Sequence, residues 1–324
     1  MEVLEVEGVR IAGIAACVPE NAVANDAKVA AATGIPARRV APDGVSLLDL
    51  CCVAAERVLK DTQSTPEEFG AILAVSFTQH ERMPCLAAQA QARLGFPKGI
   101  LAFDVMQACA GWCYGLYLAS LLARETGKKV LLLDGDKQSE FLDASDAATS
   151  PLLSDGATAT IVERQTTNDN RQTEAWQFAF HTDGEKGAAL RLAKDTTIQM
   201  DGFGVFRFVA TDVVSFLKEF ISSSHLSTFP PFHLSTFFVP HQPNVYMVRQ
   251  LAKALGFADR TLISADRFGN LASASVPATI AANADALAGK EVSLLVSGFG
   301  GGLAISAARI VLPSDCRLSV VELP

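Results

Sequence analysis

One pattern recurs along this chain and limits what it can become. Short apolar runs of strand length alternate with amphipathic stretches of helical length, and the order seen up to residue 165 returns after residue 174. In the first half, strands are expected at 9–16, 71–77, 100–105, 129–134 and 157–162, and helices at 25–32, 46–60, 84–94 and 109–124. In the second half, strands are expected at 176–181, 237–240, 261–264, 292–297 and 303–311, and helices at 206–222, 243–255 and 271–287. Ser46 reads as an N-cap, Pro84 as a helix start, and Gly95 and Gly256 as stops. Helix 46–60 then corresponds to 206–222, 84–94 to 243–255, and 109–124 to 271–287. The polar stretch 164–173 reads as the loop between the halves. The pattern predicts a duplicated βαβ-rich unit of about 150 residues, with halves at 1–165 and 174–324. A smaller repeat, His225 to Phe229 and again His233 to Phe237 around Pro230 and Pro231, reads as a local duplication without chemistry.

Composition narrows the function classes. With 324 residues, 49% of them hydrophobic, the chain can bury an ample core, as two domains or one large α/β unit. A net charge of −8 argues against a nucleic-acid partner. The seven cysteines (17, 51, 52, 85, 109, 113 and 316) are odd in number, form no CxxC pair and do not cluster with the five histidines. Neither a disulfide framework nor a metal site is expected, and free thiols suit a reducing cytoplasm. Residues 1–7 are acidic and alternating, unlike a signal peptide, and the apolar runs are too short to span a membrane. The expectation is a cytoplasmic protein with no membrane partner.

In α/β sheets, ligands gather at the carboxyl ends of strands. Cys109 lies there, between the apolar run 100–103 and a long amphipathic stretch. A thiol at a helix N-terminus meets unpaired N–H groups and the positive end of the dipole, both of which favour the thiolate. A buried structural cysteine is the plain alternative. The duplication sets Asn270, just before helix 271–287, as the counterpart of Cys109. His241 follows strand 237–240. Alone, His241 reads as a turn histidine and Asn270 as a turn or cap residue. Together they put a thiol, an imidazole and a carboxamide at corresponding strand ends. The run Gly298 to Gly302 lacks the lysine and helix of a P-loop, but its N–H groups can approach a bound carbonyl.

These residues resemble a known family, the ketoacyl-acyl-carrier-protein synthase III branch of the thiolase superfamily, nearly end to end. The likeness rests on Asp104, Ala108, Cys109, Ala110 and Gly111; on Val239, Pro240, His241, Gln242 and Asn244; on Gly269, Asn270, Ser273, Ala274, Ser275 and Pro277; and on the run Gly298 to Gly302. Thr33-Gly34-Ile35, Ser154 to Ala157, and Leu251, Ala252, Leu255 and Gly256 add to it. The resemblance implies a thiolase-like five-layer αβαβα fold, a homodimer, acyl carrier protein as partner, acyl thioesters as substrates and no cofactor. It implies that Cys109 takes an acyl group from a thioester. His241 and Asn270 would bind the enolate formed when a malonyl thioester loses carbon dioxide. Backbone N–H groups of Cys109 and Gly301 would hold the first oxyanion, and Phe299 would crowd the malonyl carboxylate.

The departures from the family pattern are specific. Lys28 and Ala32 stand where members carry a Trp and an Arg that clamp adenine, Ala147 stands for a second Arg, and Tyr246 for an Arg linked to carrier docking. Loss of the clamp argues against a free acyl-CoA primer and leaves a carrier-protein-bound or unusual acyl donor open. Arg249 and Lys253, one helical turn apart, suit an acidic carrier or a solvated helix face. Met83 stands where members place an aromatic that reaches the partner's site, and suits a longer chain or plain packing; His80 reads as structural. Three readings follow: decarboxylative Claisen condensation to a 3-ketoacyl product; acyl transfer to an oxygen, nitrogen or non-malonyl carbon nucleophile; or an inactive partner subunit. The intact Cys109, His241 and Asn270 argue against the last.

Overall fold

The computed structural model describes residues 1–81, 83–165, 174–223 and 236–324. The first copy of the small repeat, most of the second, Arg82 and most of the expected inter-half loop lie outside the described residues.

Two sheets carry the fold. The first has six strands in the order Arg317–Leu323, Val9–Pro19, Gly156–Arg164, Lys129–Asp136, Phe69–Val75 and Leu101–Val105. The second has five: Leu4–Val6, Trp176–Thr182, Ala304–Leu312, Val292–Gly300 and Phe237–Pro240. From Val9–Pro19 and from Trp176–Thr182 the pairings run in one sense, two antiparallel and then parallel. The sheets trade end strands: Leu4–Val6 pairs in the second, and Arg317–Leu323 in the first. That exchange ties the two sheets together through residues near both ends of the sequence.

Helices fill the remaining three layers. Gly111–Thr126 and Ser275–Ala282 lie between the sheets, where Trp112, Leu116, Val276 and Ile280 share one core with Ile14, Leu73, Val239 and Ile310. Leu47–Thr62 and Leu86–Arg93 cover the outer face of the first sheet through Leu50, Ala54 and Ala87. Val214–Ser223 and Val245–Leu255 cover the second through Leu217, Phe220 and Leu251. The result is five-layer αβαβα. Sheets covered on both faces explain strands that are apolar almost throughout, such as Val292–Gly300.

Local chemistry sets the boundaries. Ser46 caps Leu47–Thr62 in a reciprocal box with Asp49. The expected helix 206–222 begins earlier, at Gly202, because Asp201 caps it by accepting from the Gly204 N–H at 3.0 Å. It then runs through a π turn, Val209–Val213, into Val214–Ser223. The expected strand 261–264 reduces to a single bridge between Phe238 and Thr261, since the chain turns at once into Ala265–Phe268. The expected helix 271–287 is broken into a 3₁₀ turn, Ala272–Ala274, then Ser275–Ala282 and Ala284–Leu287. At that break the Asn283 side chain donates to the Thr279 and Ile263 carbonyls, competing with helical continuation.

Candidate active site

Cys109 sits in a 3₁₀ turn, Ala108–Ala110, that leads into Gly111–Thr126. Ala108 takes a left-handed φ of 41° to bend the chain sharply off the strand Leu101–Val105. The glycine run of the second sheet presses directly on this turn. A Cβ on Gly300 would lie 2.8 Å from Cys109 Cβ and 3.1 Å from its Sγ, and one on Gly298 would lie 2.7 Å from the Cys109 carbonyl oxygen. Close approach therefore requires glycine at both positions. Ser306 reinforces the contact, its hydroxyl donating to the Ala110 carbonyl at 2.9 Å.

His241 leaves the strand Phe237–Pro240, with its N–H donating to the Ser297 carbonyl at 2.7 Å. The neighbours in its motif hold the turn. Gln242, fully buried, donates to the Pro240 carbonyl at 2.8 Å and accepts from the Ser264 N–H at 3.2 Å. Asn244 caps Val245–Leu255, accepting from the Met247 N–H at 2.8 Å. The His241 ring meets Phe299 edge-on, with centroids 5.3 Å apart. Among the described residues its buried Nδ1 has no hydrogen-bond partner, and the side chain lines the cavity.

Asn270 is fixed by its backbone. Its N–H donates to the Leu152 carbonyl at 2.9 Å, and its carbonyl accepts from the Ser154 N–H and from Gln138 Nε2, each at 2.9 Å. Its Oδ1 accepts from the Ala272 N–H at 2.9 Å. The Nδ2 amide is thereby the donor left for the cavity. Gly269 lies so close to Ser154 that a Cβ would fall 2.2 Å from the Ser154 hydroxyl.

Cys109, His241, Asn270, Phe299 and Gly301 line one cavity of about 330 Å³, with Phe77, Met106, Gln138, Thr149 and Leu153 among the other walls. The structure brings these five predicted residues together from both halves. It leaves three elsewhere. Met83 is 87% exposed and does not line this cavity. Arg249 and Lys253 are exposed on the surface helix Val245–Leu255. Lys28, Ala32, Ala147 and Tyr246 are exposed as well. Gln138 and Thr149 were not foreseen. Gln138 follows the strand Lys129–Asp136, so the strand-end rule that marked Cys109 also pointed to it. Among the described residues no three His, Cys, Asp or Glu side chains are grouped as metal ligands, and no helix is long and apolar enough to cross a membrane.

Burial governs the electrostatics, and it reverses the expectation for the thiol. Burial pushes Cys109 up to about 12, helped by the Asp136 charge. The backbone N–H groups of Cys109 and Gly301 pull it down, but by less. The resting thiol is therefore neutral. Burial also drives His241 down to about 3, against a smaller opposing pull from Ala272. A neutral imidazole can donate a hydrogen bond without carrying charge into the cavity.

Correction of the pairing follows from the backbone. Ala272 has a left-handed φ of 51° and opens a 3₁₀ turn and helix, as Ala108 does. Aligned on these turns, the counterpart of Cys109 is Ser273, while Asn270 corresponds to Met106.

A duplicated five-layer fold with a thiol, an imidazole and a carboxamide on one cavity defines the condensing acyltransferases of the thiolase superfamily. Comparison with known proteins agrees. Residues 103–184 match 3-oxoacyl-[acyl-carrier-protein] synthase III, and residues 235–312 match the C-terminal part of that family. The chain is 30% identical over 297 residues to β-ketoacyl-[acyl-carrier-protein] synthase III of Tropheryma whipplei (strain Twist), covering 87% of this chain and 88% of that protein. The crystal structure of 3-oxoacyl-(acyl-carrier protein) synthase from Burkholderia xenovorans LB400 superposes with a TM-score of 0.91 at 28% identity, over 99% of each chain. The priming β-ketosynthase of the R1128 polyketide pathway shares the fold, with a TM-score of 0.83 at 24% identity over 97% of this chain and 98% of that one. This chain belongs to the β-ketoacyl-[acyl-carrier-protein] synthase III family and is a Claisen-condensing acyltransferase.

Proposed function

We propose that Cys109 is the nucleophile, and that His241 and Asn270 stabilise the enolate of a malonyl thioester carried by acyl carrier protein. In the first step the Cys109 sulfur bonds to the acyl carbon, the bond to the donor's sulfur breaks, and the thiol proton leaves with the departing thiol. The N–H groups of Cys109 and Gly301 face the oxyanion of that step. In the second step the malonyl group loses carbon dioxide, and the electron pair released becomes an enolate held by His241 Nε2 and Asn270 Nδ2. The enolate carbon then bonds to the acyl carbon, expelling Cys109 as thiolate, and a proton restores the thiol. The observation that carries this reading is the convergence of the thiol and two neutral donors on one cavity. Transfer to an oxygen or nitrogen nucleophile asks His241 to act as a base, and a group driven down to about 3 is poorly matched to that task.

The edge strand Leu101–Val105 supports a homodimer. It ends its sheet, and Leu101, Phe103 and nearby Met106 are exposed. Exposed Met83 would then reach the second copy's cavity, while Arg249 and Lys253 offer positive charge to an acidic carrier.

Intact-mass measurement after incubation with acyl-CoA and acyl-carrier-protein panels tests the reading. The expected result is an acyl adduct, absent in Cys109→Ala, that malonyl-carrier protein resolves with release of carbon dioxide. Failure of every donor to form an adduct would overturn it.

A further inference from the structure

A polar side chain on the cavity wall, Gln138, has no part in the proposed condensation. Gln138 opens the 3₁₀ turn Gln138–Phe141 just after the strand Lys129–Asp136, and it is 1% exposed. Its Nε2 donates to the Ser154 carbonyl at 2.7 Å and to the Asn270 carbonyl at 2.9 Å, which uses both amide hydrogens. Those two carbonyls fix the amide's orientation and turn Oε1 away from them. Among the described residues the side chain's hydrogen bonds are these two donations, with no donor to Oε1, and it lines the cavity. Thr149, which also lines the cavity, donates its hydroxyl to Asp146 at 2.6 Å.

Thr149, Leu153 and Ile198 are buried where they line the cavity. An acyl chain bound to Cys109 shares this cavity with Phe77, Leu153 and Ile198, which are apolar, and with Gln138, whose Oε1 is an acceptor. A plain alkyl chain that displaces water from this atom leaves a buried acceptor unpaired, and such a loss discriminates strongly.

We propose that Gln138 is a specificity-determining residue that selects acyl groups bearing a hydroxyl in the chain. The proposal rests on Cys109 acylation as described above. The test compares acyl thioesters of one chain length, unsubstituted or hydroxylated at successive carbons, and reads the rate of adduct formation on Cys109 by intact mass. One hydroxylated donor is expected to load about tenfold faster than the plain chain, and Gln138→Met is expected to erase that preference while still loading the plain chain. Acylation is the right step to read, because Asn270, whose carbonyl Gln138 also holds, acts only in the later condensation. If Gln138→Met does not fold, the panel on the unaltered enzyme decides alone. Equal rates for plain and hydroxylated donors would overturn the proposal but leave the acyl-enzyme intact. No adduct from any donor would overturn both.

Discussion

Cys109 and Ser273 occupy the same place in two copies of one backbone device. Each follows a left-handed alanine, sits in a 3₁₀ turn and enters a helix of the central layer. The two turns meet, since a Cβ on Gly111 would lie 3.6 Å from Ser273 Cβ. Their surroundings differ. The glycine run packs against Cys109 and leaves its sulfur on the cavity. Ser273 is fully buried, with its hydroxyl donating to the Asp134 carboxyl inside the first sheet. Duplication therefore supplied the geometry twice, and the strand end opposite each turn decided which copy faces substrate. On the second copy the polar group at the cavity is Asn270, three residues upstream of the serine.

The largest effects should come from exchanging the two positions. In the double variant Cys109→Ser/Ser273→Cys, a thiol remains at an equivalent turn but is enclosed by protein. No acyl adduct is expected at residue 273 by peptide mass mapping, and an adduct there would show that backbone placement alone makes the nucleophile. Next come His241→Ala and Asn270→Ala. Each is expected to acylate Cys109 at close to the normal rate while losing about 10²–10³ in condensation. Single-turnover mass kinetics separates the steps, and equal losses in both would contradict the division between turns.

Much of this contrast was legible in the sequence, because it is written in local chemistry. Ser46, Gly95 and Gly256 punctuate helices wherever the chain stands. The motif around His241 reads so clearly because each member has a local task, Gln242 bracing the turn and Asn244 capping the helix. What could not be read depends on distant partners. Leu4–Val6 and Arg317–Leu323 are strands only because each finds an edge in the other half's sheet. Ser273, not Asn270, matches Cys109 because of a backbone angle at Ala272 that no residue type signals. The thiol's shift went the other way for the same reason. Proximity to a helix start is visible in sequence, whereas the burial that outweighs it is a property of the assembled layers.

A smaller effect is expected from Ser273→Ala. Asp134 is buried, burial pushes its carboxyl well above the usual carboxylate range, and among the described residues its second oxygen has no hydrogen-bond partner. Removing the serine hydroxyl strands the first oxygen too, at a cost of about 1–3 kcal/mol in stability. Denaturant melts should show that loss with adduct formation nearly unchanged. Loss of acylation at unaltered stability would instead give Ser273 a part in the chemistry.

The finest contrast sets His241 on the cavity against Asp136 behind it. Both are buried, and they titrate in opposite senses. His241 falls from 6.5 to about 3, so between those values the unfolded chain binds a proton that the folded chain refuses. Its contribution to stability is present above pH 6.5 and drains away as pH falls toward 3. Asp136 rises from 3.8 to about 7 by burial, although Ser76, Phe77 and Thr78 all donate to it. Its contribution is present below pH 3.8 and is lost as pH rises toward 7. Comparing each variant with the parent cancels every other group. The stability advantage of the parent over His241→Gln should shrink on acidification through pH 6.5, while its advantage over Asp136→Asn should shrink on alkalinisation through the same window. Slopes of the same sign would mean that one of the two is charged in the folded state. For His241 that would place an imidazolium, rather than a neutral donor, against the developing enolate.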